Sequence, residues 1–121
     1  MLIVLSGLPG VGKTTIAKIL ARQCRGSYLR IDIIEQAILS STSSPNELGA
    51  LGYVVAYEIA RANLCLGSAV VADAVNPLTS TREAWREVAA SATSKIFEVE
   101  VVCSDTKEHR RRVESRKADI P

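Results

Sequence analysis

Eight residues near the start of the chain combine glycines with a lysine and a threonine in the spacing G-x-x-x-x-G-K-T. They are Gly-Leu-Pro-Gly-Val-Gly-Lys-Thr at positions 7–14, between an apolar run and a helical pattern. Glycines let the backbone turn sharply, so that its N–H groups can point inward at phosphate oxygens. The lysine suits the β- and γ-phosphates of a nucleotide, and the threonine hydroxyl suits Mg²⁺. The predicted nucleotide-binding residues are Gly7, Pro9, Gly10, Val11, Gly12, Lys13, Thr14 and Thr15.

Two aspartates each follow a short run that is typical of a buried strand. Asp73 comes after residues 68–72, and Asp32 comes after residues 27–31. An acid at a strand end beside a phosphate loop can hold Mg²⁺, so we predict Thr14 and Asp73 as metal ligands. Asp32 could accept the proton of an attacking hydroxyl and act as a catalytic base. Either aspartate could instead cap the following helix, and for Asp32 the two roles are compatible.

The last segment with a helical pattern is strongly basic. Arg112 and Arg116 are four residues apart, which places them on one face of a helix. Two guanidinium groups on one face could clamp a transferring phosphoryl group and neutralise its charge. We therefore predict catalytic roles for this pair and for Lys13. The alternative is a solvated helix in which Glu108 pairs with Arg112.

Further residues could bind the second substrate. Tyr53, Tyr57 and Arg61 are spaced four apart on one face of a predicted helix, where they could line a pocket with Arg61 meeting an anionic group. They could equally be core packing with an arginine whose charged end reaches water. Arg82, just inside the next predicted helix, is another candidate, whereas Trp85 in the same helix is expected in the core.

Strand and helix patterns alternate along the chain. Such alternation predicts an α/β fold with three layers and a mostly parallel sheet. Ligands of these sheets bind outside the carboxyl ends of the strands, so we expect the glycine loop and both aspartates to converge at one edge. The first helix is expected to carry Ile16, Ile19, Leu20 and Cys24 on one face. The predicted strands cover residues 2–5, 27–31, 68–72 and 96–103, and the predicted helices cover residues 12–25, 33–39, 44–66, 80–91 and 106–116.

The composition predicts one domain over residues 1–121. Hydrophobic residues make up 47% of the chain, the net charge is +2 and aromatics are 4%, which argues against a nucleic-acid partner. Cys24, Cys65 and Cys103 lie far apart in apolar surroundings, and we interpret them as reduced thiols near the core of a cytoplasmic protein. We expect no signal peptide and no membrane span, since the start lacks a basic region and no apolar run approaches about 20 residues.

Together these motifs resemble the small P-loop kinases. The resemblance rests on residues 7–14, Leu-Arg-Ile-Asp-Ile-Ile-Glu at 29–35, Val-Val-Ala-Asp-Ala-Val-Asn at 70–76 and the arginine helix at 109–116. The chain is most similar to a predicted-kinase group, of the AAA ATPase type, that includes chloramphenicol phosphotransferase, the kinase half of polynucleotide kinase, zeta-type toxins and gluconate kinase.

The resemblance implies ATP and Mg²⁺ as cofactors and the strand order 2-3-1-4-5. It implies that Asp32 activates the acceptor hydroxyl, that Asp73 is the strand-3 acid and that the arginines at 112 and 116 belong to a lid at about residues 104–118. Members usually continue into a fifth strand, a loop that contacts adenine and a terminal helix. This chain ends at Pro121, so we expect a sheet of order 2-3-1-4 without the fifth strand.

A missing fifth strand would leave the outer edge of the fourth strand exposed, beside the alternating Phe97, Val99 and Val101. An exposed edge predicts pairing with a second copy in a homodimer, or poor solubility.

The expected activity is transfer of the γ-phosphate of ATP to an alcohol group of a small molecule. A kinase of nucleotides or of polynucleotide 5′ ends is an alternative, for which the sequence offers only Arg30, Arg61 and Arg82 as a basic track towards Asp32. A non-catalytic nucleotide-binding module is a second alternative. The acceptor does not follow from the sequence, because fold analogy does not fix a substrate.

Overall fold

A computed structural model describes residues 1–7, 12–41, 51–74 and 79–101. Strands and helices alternate over most of this part of the chain. None of its helices is long and apolar enough to cross a membrane. The elements are β1 (Leu2–Ser6), α1 (Lys13–Cys24), β2 (Ser27–Arg30), α2 (Ile31–Ser41), α3 (Leu51–Cys65), β3 (Val70–Asp73), α4 (Thr79–Ser91) and β4 (Ile96–Glu100).

The four strands form one parallel sheet in the order β2-β3-β1-β4. β1 lies between β3 and β4, and its residues Leu2 to Leu5 are almost completely buried. A continuous apolar strand of this kind is expected where helices cover both faces of a parallel sheet. The predicted strand order 2-3-1-4 is confirmed.

Helices pack on both faces of the sheet, which gives the three predicted layers. Successive strand residues point to opposite faces. In β1, Ile3 and Leu5 pack with α1, whereas Leu2 and Val4 pack with α3 and α4 on the other face. Trp85 in α4 is 2% exposed in this second core cluster, as predicted.

The strand boundaries differ from the sequence predictions by one to three residues. β2 ends at Arg30 and α2 begins at Ile31, so Asp32 lies in the first turn of a helix and does not end a strand. β3 begins at Val70, two residues later than predicted, and includes Asp73 as its last residue. The reason is register: β2 pairs with β3, and the pairing ends where Arg30 lies opposite Asp73.

The prediction of a thiol near the core is wrong for Cys65, and Ile19 on the apolar face of the first helix is also exposed. Ile19 is 40% exposed, because each residue turns a helix by about 100° and the buried stripe of α1 follows Ala17, Leu20 and Ala21. Cys65 is exposed at the end of α3, where the chain leaves the core, whereas Cys24 is half-buried near the core as expected.

Candidate active site

The segment between β1 and α1 begins and ends at glycines whose backbone angles other residues avoid. Gly7 has φ of +144°, and a Cβ atom there would lie 2.3 Å from the carbonyl oxygen of Val101. Gly12 has φ of +83° and is the N-cap of α1. The first turn of α1 contains no acidic residue, so its partial positive charge is available to an anion.

Three side chains donate hydrogen bonds to the carboxylate of Asp73. Lys13 Nζ donates to Oδ1. Thr14 Oγ1 donates to Oδ2 at 2.9 Å, and Tyr28 OH donates to the same oxygen at 3.0 Å. The carboxylate is 0% exposed and the Lys13 side chain 6%. A buried charge is tolerated only when it is paired and hydrogen-bonded, and these donors meet that requirement.

The topology explains why these residues meet. Asp73 is two residues beyond Val71, which packs with α1, so both face α1. Asp73 also lies opposite Leu5 of β1, and the segment that leaves β1 leads into α1 at Lys13. The predicted convergence of the glycine loop with the strand-3 acid is therefore present for its described members, and Gly12 and Thr15 lie exposed beside them.

Tyr28 is the member of this cluster that the sequence reasoning missed. Arg30 lies opposite Asp73 in the sheet, so Tyr28 is a diagonal neighbour on the same face. A diagonal neighbour is within reach of an aromatic side chain. The pairing of β2 with β3, together with the alternation of side chains between the two faces of a strand, could have indicated this contact. Burial, and then the hydrogen bond to Asp73, raise the pKa of Tyr28 to about 12, so the phenol is a neutral donor near pH 7.

Asp32 has a different environment. Its side chain is 47% exposed, and its carboxylate lies 3.7 Å from Arg30 Nη2, which is longer than a hydrogen bond. It lies in the first turn of α2, where the helix N-terminus favours negative charge. Asp32 lies inside the helix and not at the flanking cap position. Because 47% of its side chain is exposed, the carboxylate is accessible to an incoming group, as a catalytic base must be.

The predicted substrate tyrosines lie on the other face of the sheet from α1. The rings of Tyr57 and Trp85 are perpendicular, with centroids 4.7 Å apart, and Tyr53 is 6.1 Å from Tyr57. Both tyrosines pack against the core cluster of α3 and α4. This arrangement agrees with the core-packing alternative.

Arg61 and Arg82 are not brought to the Asp73 cluster by any described contact. Arg61 Nε donates to Ser91 Oγ at 3.0 Å, and Nη1 pairs with Glu58. Arg61 and Ser91 lie towards the C-terminal ends of α3 and α4, from which the chain leads to the starts of the next strands. Arg82 is exposed on α4, and its charge helps to lower the pKa of Glu98.

Several predicted site features fall outside the described residues. They are the loop residues Pro9, Gly10 and Val11, the arginines Arg112 and Arg116, the lid at about residues 104–118 and Cys103.

The oxygen donors at Thr14 and Asp73 fit Mg²⁺. A hydroxyl and a carboxylate are the hard ligands that Mg²⁺ takes. In phosphate sites Mg²⁺ binds one or two carboxylates and obtains its other ligands from phosphate and water. In the described part of the chain, no group of three or more His, Cys, Asp or Glu could hold a metal ion.

Three features together define a P-loop NTPase domain. They are a parallel sheet of this order, a lysine and a threonine at a helix N-terminus, and a buried acid at the end of β3. A protein-family model described as an AAA domain matches residues 2–120. Because the match covers almost the whole chain, the protein belongs to this AAA domain family. Among curated proteins, none matches the chain.

Solved structures share the fold. A predicted kinase from Chloroflexus aurantiacus J-10-fl aligns with 98% of the chain at a TM-score of 0.73 and 21% identity, and the chain spans 66% of that protein. APE1195 aligns with 99% at a TM-score of 0.65 and 25% identity, with 73% of its own length covered. The Mycobacterium tuberculosis APS kinase in complex with AMPPNP and APS aligns with 99% of the chain at a TM-score of 0.52 and 20% identity, and the chain spans 75% of that protein. The chain therefore has the fold of P-loop kinases.

Proposed function

We propose that this protein is an ATP- and Mg²⁺-dependent phosphotransferase that moves the γ-phosphate of ATP to a hydroxyl group of a small molecule. The observation that carries the proposal is the buried cluster in which Lys13 and Thr14 of α1 meet Asp73 of β3. Membership of the AAA domain family and the likeness to kinase structures support the same class of reaction.

Lys13, Thr14 and Asp73 each have a role in this proposal. Lys13 leaves Asp73 to bind the outer phosphates, and the N-terminus of α1 holds phosphate oxygens with its backbone N–H groups. Thr14 and Asp73 would hold Mg²⁺, which when bound neutralises charge on the transferred phosphoryl group. Arg112 and Arg116, which lie outside the described residues, would add positive charge from the lid.

Asp32 is the proposed base for the acceptor. Its half-exposed carboxylate accepts the proton as the acceptor oxygen forms a bond to the γ-phosphorus and the bond to the β-phosphate oxygen breaks, releasing ADP. Arg30 Nη2 lies 3.7 Å from this carboxylate, so a positive charge stands beside the proposed base before the acceptor arrives.

The proposal does not extend to Arg61 as a substrate residue, because its guanidinium is already engaged by Glu58 and Ser91. The homodimer stays a prediction. Glu98 and Glu100 are exposed on β4, the outer strand of the sheet among the described residues, and charged side chains on an edge strand disfavour edge-to-edge pairing.

A single-turnover assay with γ-labelled ATP, Mg²⁺ and a metabolite pool tests the proposal. The wild type is expected to label a metabolite. Asp32→Asn should keep its ATP affinity within about 2-fold but transfer the label about 100-fold more slowly or worse, because the base is lost. Equal loss of binding and transfer would refute the base assignment. Tight ATP binding by the wild type without transfer to any metabolite would indicate a non-catalytic module.

A further inference from the structure

The hydroxyl of Tyr28 has no part in the transfer as proposed, although it contacts a proposed metal ligand. We propose that Tyr28 is a positioning residue that holds the Asp73 carboxylate in place when Lys13 and Thr14 turn from it to a bound nucleotide. This inference rests on the proposed function, since it assumes that nucleotide and Mg²⁺ bind at this cluster.

The three donors to Asp73 differ in what else they must do. Lys13 and Thr14 begin α1 directly after the glycine loop, so a phosphate group and a metal ion compete with Asp73 for them. Tyr28 comes from β2, on the far side of β3 from the loop, and it has no such second task.

Asp73 needs a donor that stays. Its side chain is 0% exposed, so bulk water cannot replace a lost hydrogen bond, and the metal alone would leave part of the buried carboxylate without a partner. Among the described residues, Tyr28 is the remaining donor once Lys13 and Thr14 have turned away.

The geometry also gives Tyr28 control over the orientation of the carboxylate. Thr14 Oγ1 and Tyr28 OH reach the same oxygen, Oδ2, at 2.9 and 3.0 Å. Tyr28 therefore fixes the position of Asp73 Oδ2. This oxygen lies beside the hydroxyl of Thr14, which is the other proposed protein ligand of Mg²⁺. Partners that orient a metal ligand in this way typically change metal affinity by about 10–100-fold when they are removed.

The test compares Tyr28→Phe with the wild type by calorimetric titration of AMPPNP, in EDTA and over a series of Mg²⁺ concentrations. The variant keeps the ring and loses only the hydroxyl. In EDTA, the affinity of the variant for AMPPNP should stay within about 2-fold of the wild-type value. Mg²⁺ raises the affinity for AMPPNP, and the Mg²⁺ concentration that gives half of this increase should be about 10-fold higher in the variant. Thermal melting without ligand checks that the variant is folded.

Ser27→Ala is the matched control. It removes another hydrogen-bonded hydroxyl from β2, the one that Ser27 donates to Asn63 Oδ1 at 3.3 Å, on the opposite face of the sheet from Tyr28. It should leave both affinities unchanged.

The possible results separate the two proposals. An unchanged Mg²⁺ requirement in Tyr28→Phe, or an equal loss of affinity with and without Mg²⁺, would overturn the role of Tyr28 alone. A shifted Mg²⁺ requirement without phosphoryl transfer by the wild type would support Tyr28 and overturn the kinase activity. A wild type that binds no AMPPNP would overturn both.

Discussion

Two aspartates at the same edge of the sheet have the same side chain but differ in burial and in hydrogen-bond partners. Asp73 is completely buried and accepts hydrogen bonds from Lys13, Thr14 and Tyr28. Asp32 is 47% exposed, and its nearest described charge is 3.7 Å away on Arg30. The contrast shows how one residue type can serve two purposes at one site. A buried, hydrogen-bonded carboxylate suits a metal ligand of fixed position, and an exposed carboxylate suits proton transfer with an incoming molecule.

The largest expected effect concerns the partners of these aspartates. Lys13→Met leaves the Asp73 charge buried without its counter-ion and should lower the free energy of unfolding by about 3 kcal/mol. Arg30→Met removes the charged neighbour of the exposed Asp32 and should change the free energy of unfolding by less than about 0.5 kcal/mol. Urea denaturation of both variants measures the difference.

The double variant Lys13→Met/Asp73→Asn provides the control. It removes both charges while Thr14 and Tyr28 can still donate to the amide oxygen, so most of the lost stability should return. Similar losses in Lys13→Met and Arg30→Met would contradict the contrast between the two aspartates.

A third carboxylate lies between these extremes and gives a smaller, pH-dependent effect. Arg86 binds Glu98 through two hydrogen bonds, of 2.7 and 2.8 Å, on the exposed side of β4. Hydrogen bonding from Arg86 holds the pKa of Glu98 below its ordinary value. Because the folded-state pKa is the lower one, the pair stabilises the protein above the ordinary pKa and ceases to do so as the pH falls through the folded-state value.

The corresponding measurement is the melting temperature of Glu98→Gln relative to the wild type across pH. The variant should melt a few degrees lower near pH 7, and the difference should shrink towards zero in acid. A difference that grows as the pH falls would contradict the sign of the pKa shift.

Much of the fold followed from local sequence. The glycine loop, the buried run before Asp73 and the alternation of strand and helix patterns each depend on neighbouring residues, and the residues that the structure describes agree with all three. The strand order 2-3-1-4 came from the resemblance to P-loop kinases, because no local pattern states which strands are neighbours.

What the sequence did not reveal depends on contacts between distant residues. Tyr28 reaches Asp73 from 45 positions away, and only the pairing of β2 with β3 makes them neighbours. The end of β2 at Arg30 is likewise set by where its partner strand ends. Ile19 is exposed because it is turned by about 100° from Leu20 around the helix, away from the other buried residues, Ala17 and Ala21.

The central claim is that the cluster around Asp73 binds a nucleoside triphosphate. Calorimetric titration of ATP with Mg²⁺ into the wild type and into Lys13→Met/Asp73→Asn tests it most directly, because the double variant should be folded. We predict a wild-type Kd between about 1 μM and 1 mM and binding about 100-fold weaker or worse in the double variant. Equal affinity in the two proteins, or no binding by the wild type, would contradict the claim.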